Sequence, residues 1–305
     1  MNGLINIYKE KDFTSHDVVA KLRGILHTRK IGHTGTLDPM AEGVLPVCIG
    51  GATKLVESFT DETKEYEAVM ILGKTYDTLD VTGVLTGERE VMSTEEEIRS
   101  AAASFIGGYD QIPPMYSAKK VGGRKLYDIA RSGGVVERKS VFVNIYDIEV
   151  LSVDIPRVTI RVCCGKGTYI RSLIDDMGKK LGCGAAMEKL TRTRVGSFSL
   201  ADAHKLSEIE TAASEGRVAD IIISTEELFK ELEGVHTDAG ASKLLANGNV
   251  IAGSVVRRLA PSLSGNVANG TRVRMYDSEG VFTGIYEYKI SDDIYKPYKM
   301  FLDKN

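Results

Sequence analysis

The chain has 305 residues, of which 43% are hydrophobic and 27% charged, and a formal net charge of −3 at pH 7. Those values lie near the averages of soluble globular chains, and the length points to two domains rather than one core. The net charge taken alone argues against a nucleic-acid binder, and no run approaches the roughly 18 apolar residues of a membrane span.

The N-terminus, MNGLINIYKEKDF, lacks the long apolar core of a signal peptide. Cys48, Cys163, Cys164 and Cys183 offer no C-x-x-C pair, and two are adjacent, so neither a zinc site nor a disulfide framework is indicated. A reducing cytoplasm is the expected compartment. Residues 241–305 hold nine Lys or Arg against six Asp or Glu, whereas the remaining 240 hold 30 against 36. Nucleic-acid contact by the larger part therefore needs a local basic patch.

In chain order, LINIY (residues 4–8) reads as a buried strand, and Thr14-Ser15-His16 offers caps for the amphipathic run DVVAKLRGIL. Residues 31–54, IGHTGTLDPMAEGVLPVCIGGATK, concentrate glycines at 32, 35, 43, 50 and 51 around an Asp38-Pro39 step. Pro39 drives Asp38 out of helical geometry, so the stretch predicts a tight loop presenting one carboxylate and feeding a buried strand from Val44 to Ile49. GGATKLVESF starts a helix, KEYEAVMIL (64–72) suits a strand, and residues 73–90 read as a long loop.

Ser93 and Glu96 form a capping-box pattern for a helix near 94–106, stopped by Gly107-Gly108. QIPPMYSAKKVGGRKLYDIARSGG runs from a rigid Pro-Pro segment through basic and aromatic residues into a short helix ending near Gly133. Two strand-like runs occupy 138–165, KGTYIRSLIDDMGKKLG is loop into helix, and AMEKLTRTRVGSFSL is another strand candidate. The segment 200–235 reads as mainly helical, and RVRMYDSEGVFTGIYEYKI as a hairpin turning at Asp277-Ser278-Glu279-Gly280. The fold class expected is α+β, with a mixed, largely antiparallel sheet in a domain of residues 1–235 and a small β-barrel-like domain at 236–305.

Spacing alone leaves Asp38 as a presented carboxylate of unassigned role, since GHTGTLDP lacks the G-K-[ST] ending of a phosphate-binding loop. The same stretch, however, resembles the G-H-x-G-T-L-D-P signature of the TruB family of tRNA pseudouridine-55 synthases. INIYKEKDFTSHDVV, QIPPMYSAKKVGGRKLYDIAR, KGTYIRSLIDDMGKKLGCGA and LTRTRVGSF resemble the family's other motifs, in order, over about residues 4–198. The C-terminal segment resembles a PUA RNA-binding domain. Glu10 and Asp12 depart from the Pro and Gly common in the first motif, which puts the geometry of that surface turn in question.

The resemblance implies isomerisation of uridine 55 in the T loop of tRNA after base flipping. Asp38 would be the nucleophile, at carbon 6 of the uracil or carbon 1′ of the ribose, Arg171 its counter-ion, and Tyr66 the ring stacking on the base. It further implies substrate binding by His33, Tyr169, Lys166, Leu190, Lys119, Lys120 and Arg124, with Lys125 and Arg131 adding charge to an RNA-contacting insertion at about 110–135. No cofactor or metal is implied, the RNA partner is the T stem-loop, and a monomer is expected. The competing readings are a guide-RNA-dependent synthase and a tRNA-folding protein whose catalysis is secondary.

Overall fold

The computed structural model describes residues 1–301, apart from residue 118 and the side chains of Lys120 and Lys125. The larger part is built on a nine-stranded mixed sheet. Across it run Ile145–Asp154, Arg157–Cys164, Lys64–Leu72, Ala185–Val195, Glu42–Ile49, Gly3–Lys9 and Ile223–Ser224, with Phe198–Ser199 paired to Ala185–Val195 and Ile31–His33 to Glu42–Ile49. The one parallel ladder sets Thr191 opposite Glu42 and Arg192 opposite Gly43; the other ladders of the sheet are antiparallel. This is the α+β class expected.

The parallel ladder needs close approach. Gly43 takes φ +107°, and a Cβ there would stand 2.2 Å from the Arg192 carbonyl oxygen, so only glycine lets the two central strands meet. The helix Ile170–Lys180 packs on the sheet through Leu173, Ile174 and Met177, all fully buried, each worth roughly 1.5–3 kcal/mol of transfer free energy. Gly178 lets it lie flat, since a Cβ would meet the Ala185 nitrogen at 2.2 Å. On the far side of the strands, Ser15–Ile25 and Leu206–Ser214 cover Ile5, Ile7, Leu45 and Val47.

Three local expectations need correction. The capping box of Glu95–Ala103 is formed by Thr94 and Glu97, one residue later than Ser93 and Glu96. Successive helical residues are rotated by about 100°, so Ile98, Ala101 and Ala102 share the face that this helix turns to the core. Residues 73–90 contain a hairpin, Lys74–Tyr76 with Leu85–Glu88, whose strands are too short and exposed to show alternation. In 200–235 the α-helix Leu206–Ser214 stops before Gly216 (φ +70°), and Ile223–Ser224 then joins the sheet edge beside Gly3 and Leu4.

The second sheet begins at Glu233, with strand order Glu233–His236, Arg272–Tyr276, Phe282–Lys289, Ile294–Met300 and Ile251–Ala252. It curls with the helices Ala239–Ala246 and Gly253–Leu259 around Val235, Leu245, Val256, Val273 and Tyr286. Asp293 locks one end, accepting both Arg257 Nη groups at 2.7 Å and the Tyr288 hydroxyl at 2.8 Å. Ile285 and Phe301 pack into a shared cluster with Leu4, Val44, Cys48 and Phe198, so the small sheet covers apolar surface of the large one.

Candidate active site

The loop between Ile31–His33 and Glu42–Ile49 carries Asp38, and its shape is set by bonds reaching beyond the loop. Thr34 donates through its amide (3.1 Å) and hydroxyl (3.2 Å) to the Pro46 carbonyl, and the Leu37 amide donates to Ser15 Oγ at 2.9 Å. Lys9, fully buried, donates its ammonium to the carbonyls of Glu10, Phe13 and Pro39 at 3.1, 2.6 and 3.3 Å. Burial pushes that ammonium down to about 8, and the nearby Asp38 carboxylate opposes the shift. The surface turn that departs from the TruB motif at Glu10 and Asp12 is thus tied directly to the loop, and the Asp12 amide also donates to the Pro39 carbonyl at 2.8 Å.

Arg171, one residue into the helix that starts at Ile170, reaches this loop from the other side of the cleft. Its Nη2 lies 2.8 Å from Asp38 Oδ2 and donates to the Tyr116 carbonyl at 2.8 Å. Its Nη1 donates to the Thr78 carbonyl at 3.0 Å and stands 3.5 Å from Asp80 Oδ2. The Arg171 side chain is 6% exposed and Asp80 7%, whereas Asp38 is 38% exposed and faces the cavity. One planar guanidinium therefore orients the accessible carboxylate and is itself fixed by a buried one. Asp80 is in turn held by the Thr82 amide (3.0 Å) and hydroxyl (2.5 Å) and by the Thr78 hydroxyl (3.0 Å).

Asp38 and Arg171 line a cavity of about 390 Å³ with Tyr66, Leu190, Arg192, Lys64, Ser117, Lys119, Lys166 and Tyr169. Tyr66 and Leu190, on adjacent antiparallel strands, are 8% and 7% exposed and form its apolar floor. Burial raises the Tyr66 phenol, which stays protonated at neutral pH. Beneath the floor Arg192 is fully buried, its Nε donating to the Val44 carbonyl at 2.7 Å and its Nη2 to the Gly35 carbonyl at 3.3 Å. Lys64 donates to the Thr60 and Glu62 carbonyls, and burial, then Arg192, lowers its ammonium. Cys164, beside this floor, is pushed up to about 12 by burial and is a thiol, not a nucleophile.

Tyr169 forms the rim. Its amide and carbonyl are clasped by the Gln111 side chain at 2.8 and 3.1 Å, and burial raises its phenol. Lys166 is exposed at the mouth and pairs with Asp61 at 2.9 Å. Lys119 lines the cavity, whereas Arg124 is exposed on the short strand Arg124–Lys125 and is not part of the lining. Of the expected Lys120 and Lys125, the side chains lie outside the described residues. Asp80, Arg192, Lys64, Lys9 and Ser117 are the residues that sequence reasoning missed as site residues. Arg192 alone had a local signal, as the arginine of the LTR element.

His33 does not line the cavity. It packs edge-on against His16 with ring centroids 5.4 Å apart, and its buried Nδ1 has no hydrogen-bond partner. Burial, then the charges of His16 and Arg192, holds its imidazole below the usual 6.5. On acidification the unfolded chain therefore takes up this proton first, and stability is lost as pH falls below 6.5. His33→Gln is expected to flatten the fall of Tm with pH in that window relative to the native chain; calorimetry at a series of pH values checks it, and identical slopes would exclude His33.

Among the described residues no group of three His, Cys, Asp or Glu is placed to hold a metal ion, and no helix is long and apolar enough to cross a membrane.

The site sets a presented carboxylate with a buried arginine counter-ion above a tyrosine-lined floor on central strands of a mixed sheet, and the matches that follow make the class a pseudouridine synthase, an isomerase. Residues 23–170 match the model of the TruB family pseudouridylate synthase N-terminal domain, and residues 171–230 that of the tRNA pseudouridylate synthase B C-terminal domain. The chain is 47% identical to "tRNA pseudouridine synthase B" of Lachnoclostridium phytofermentans, over 99% of this chain and 100% of that one. It is 42% identical to the protein of that name from Listeria innocua, over 98% of each. Among solved structures it resembles a chain of an H/ACA RNP bound to a substrate RNA containing 2′-deoxyuridine, with a TM-score of 0.71 at 25% identity, covering 99% of this chain and 86% of that one. It also resembles a chain of a Cbf5-Nop10-Gar1 complex, with a TM-score of 0.70 at 26% identity, covering 98% of this chain and 85% of that one. The chain belongs to the TruB family of pseudouridine synthases.

Proposed function

We propose that the protein converts uridine 55 in the T loop of tRNA to pseudouridine, with Asp38 as the nucleophile. The observation that carries this reading is the Asp38–Arg171 pair at 2.8 Å on the wall of a cavity large enough for one nucleoside. Unstacking the target base costs a few kcal/mol, which stacking on Tyr66, worth about 1–3 kcal/mol, offsets. Carboxylate attack, at C6 of the uracil or C1′ of the ribose, goes with cleavage of the bond between N1 and C1′. The base turns, C5 bonds to C1′, the proton of C5 leaves to solvent while N1 takes one up, and the bond to Asp38 breaks to free the enzyme. Substrate and product differ by no electron and no atom.

Lys119, Lys120, Arg124, Lys166 and Tyr169 contact the RNA around the flipped nucleotide, with His33 seating the loop from behind. Residues 236–305 serve as a PUA-like module that holds the stem, a role supported by their basic surplus. The enzyme works as a cytoplasmic monomer, and its four unpaired cysteines favour a reducing compartment. Likeness to a chain of an RNP bound to a substrate RNA, and to a chain of a complex with other proteins, supports a second reading, in which a guide RNA selects the target. The test is tritium release from a tRNA carrying uracil labelled at carbon 5. One release per tRNA from the free protein, abolished when position 55 is cytidine, is expected. Release only with added guide RNA would overturn the stand-alone reading, and none under either condition would overturn both.

A further inference from the structure

Ser117 has no part in the chemistry described so far, yet its placement is unusual. The residue is 5% exposed, it lines the cavity, and its hydroxyl has no hydrogen-bond partner of good geometry although the Tyr169 hydroxyl lies within reach. A buried hydroxyl left without a partner is costly, and such groups are rare enough to need an explanation. The segment is not loose: the Ser117 carbonyl accepts the Tyr127 amide at 3.0 Å and the Lys119 carbonyl accepts the Leu126 amide at 2.8 Å. The hydroxyl is thus held ready for something that enters the cavity.

Its side of the cavity narrows what that is. Arg171 Nη2 joins Asp38 Oδ2 and the Tyr116 carbonyl, each at 2.8 Å, so the residue after Tyr116 stands at the Asp38 end. In the proposed reaction the atoms that Asp38 attacks, C6 or C1′, and the glycosidic bond beside them lie at that end. Tyr66 and Leu190 form the apolar floor for the base, and Ser117 and Tyr169 are polar residues of the same lining, open to the ribose. We propose that Ser117 Oγ binds the 2′-hydroxyl of the flipped nucleotide, as a substrate-positioning residue that also lets the site reject a deoxyribose. A 2′-hydroxyl both donates and accepts and is the group that separates RNA from DNA at one position, which suits a hydroxyl beside a protonated phenol.

This rests on the T-loop reading above, and the experiment separates the two. Asp38→Asn, which keeps the site's shape while stopping turnover, is the background, and the probes are T stem-loop RNAs with uridine or 2′-deoxyuridine at the target. Adding Ser117→Ala is expected to weaken binding of the uridine RNA about five- to tenfold, the size of one hydrogen bond. The 2′-deoxyuridine RNA should bind the two proteins equally, and the Tm of both should agree. Equal weakening on both RNAs, or none on either, would overturn the role of Ser117. If neither RNA binds the Asp38→Asn protein at all, the substrate assignment fails instead.

Discussion

Asp38→Asn is expected to lower single-turnover tritium release at least about 10⁴-fold, the scale at which removal of a nucleophile acts in other enzymes. The amide has the carboxylate's shape but neither its charge nor its nucleophilicity. Stability should change little. Asp38 is 38% exposed, so its attraction to Arg171 is screened by solvent and worth on the order of 1 kcal/mol or less. Arg171 also keeps Asp80, Thr78 and Tyr116. Binding of the T stem-loop should stay within a few-fold of native, because stacking and phosphate contacts are untouched. Turnover within tenfold of the native chain would assign the nucleophile elsewhere.

Arg171→Met should act on both stability and rate. It leaves Asp80 as a carboxylate only 7% exposed with no cation, and two carbonyls without a donor. Breaking a buried pair from one side costs about 3–5 kcal/mol, so chemical denaturation should show a loss of that size. With Asp38 free to rotate, turnover should fall about 10³-fold, comparable to removing a key electrostatic contact. Arg171→Lys distinguishes charge from shape. An ammonium cannot span four oxygens that a planar guanidinium joins from two nitrogens, so the lysine variant should recover part of the stability and little of the rate. Full rate in the lysine variant would mean that charge alone suffices at this position.

The two variants bracket how much of the site was readable. Asp38 was legible because glycines and a following proline leave few conformations open to it, and loop geometry of that kind is local. Arg171 and Tyr66 were paired with it only through resemblance to the family, since nothing at positions 66 or 171 by itself refers to position 38. Asp80 was not legible at all: in Thr-Leu-Asp-Val-Thr it looks like an ordinary turn residue, and only the bridge between Asp80 and Met187 brings it beneath Arg171. Ser117 was equally silent, because a serine in a basic loop is unremarkable until its burial is known.

The fold divides in the same way. Caps, glycine stops and apolar runs fixed most helices and strands, and the hairpin about Asp277–Gly280 followed from its turn residues. The slip of one residue at Thr94 came from a tie between two adjacent capping patterns, which packing of Ile98 and Ala102 resolved. The parallel register that places Arg192 beside Gly43 came from the assembled sheet, not from either strand. By itself, then, the sequence determined the kinds of elements, the presented Asp38 and the family, all of which rest on neighbours along the chain. The tertiary structure alone decided which charges are buried, that Lys9 and Arg192 brace the loop from below, and that Asp80 completes the arginine's set of partners. Those contacts join residues tens to more than a hundred positions apart, and periodicity within one segment carries no record of what lies across the sheet.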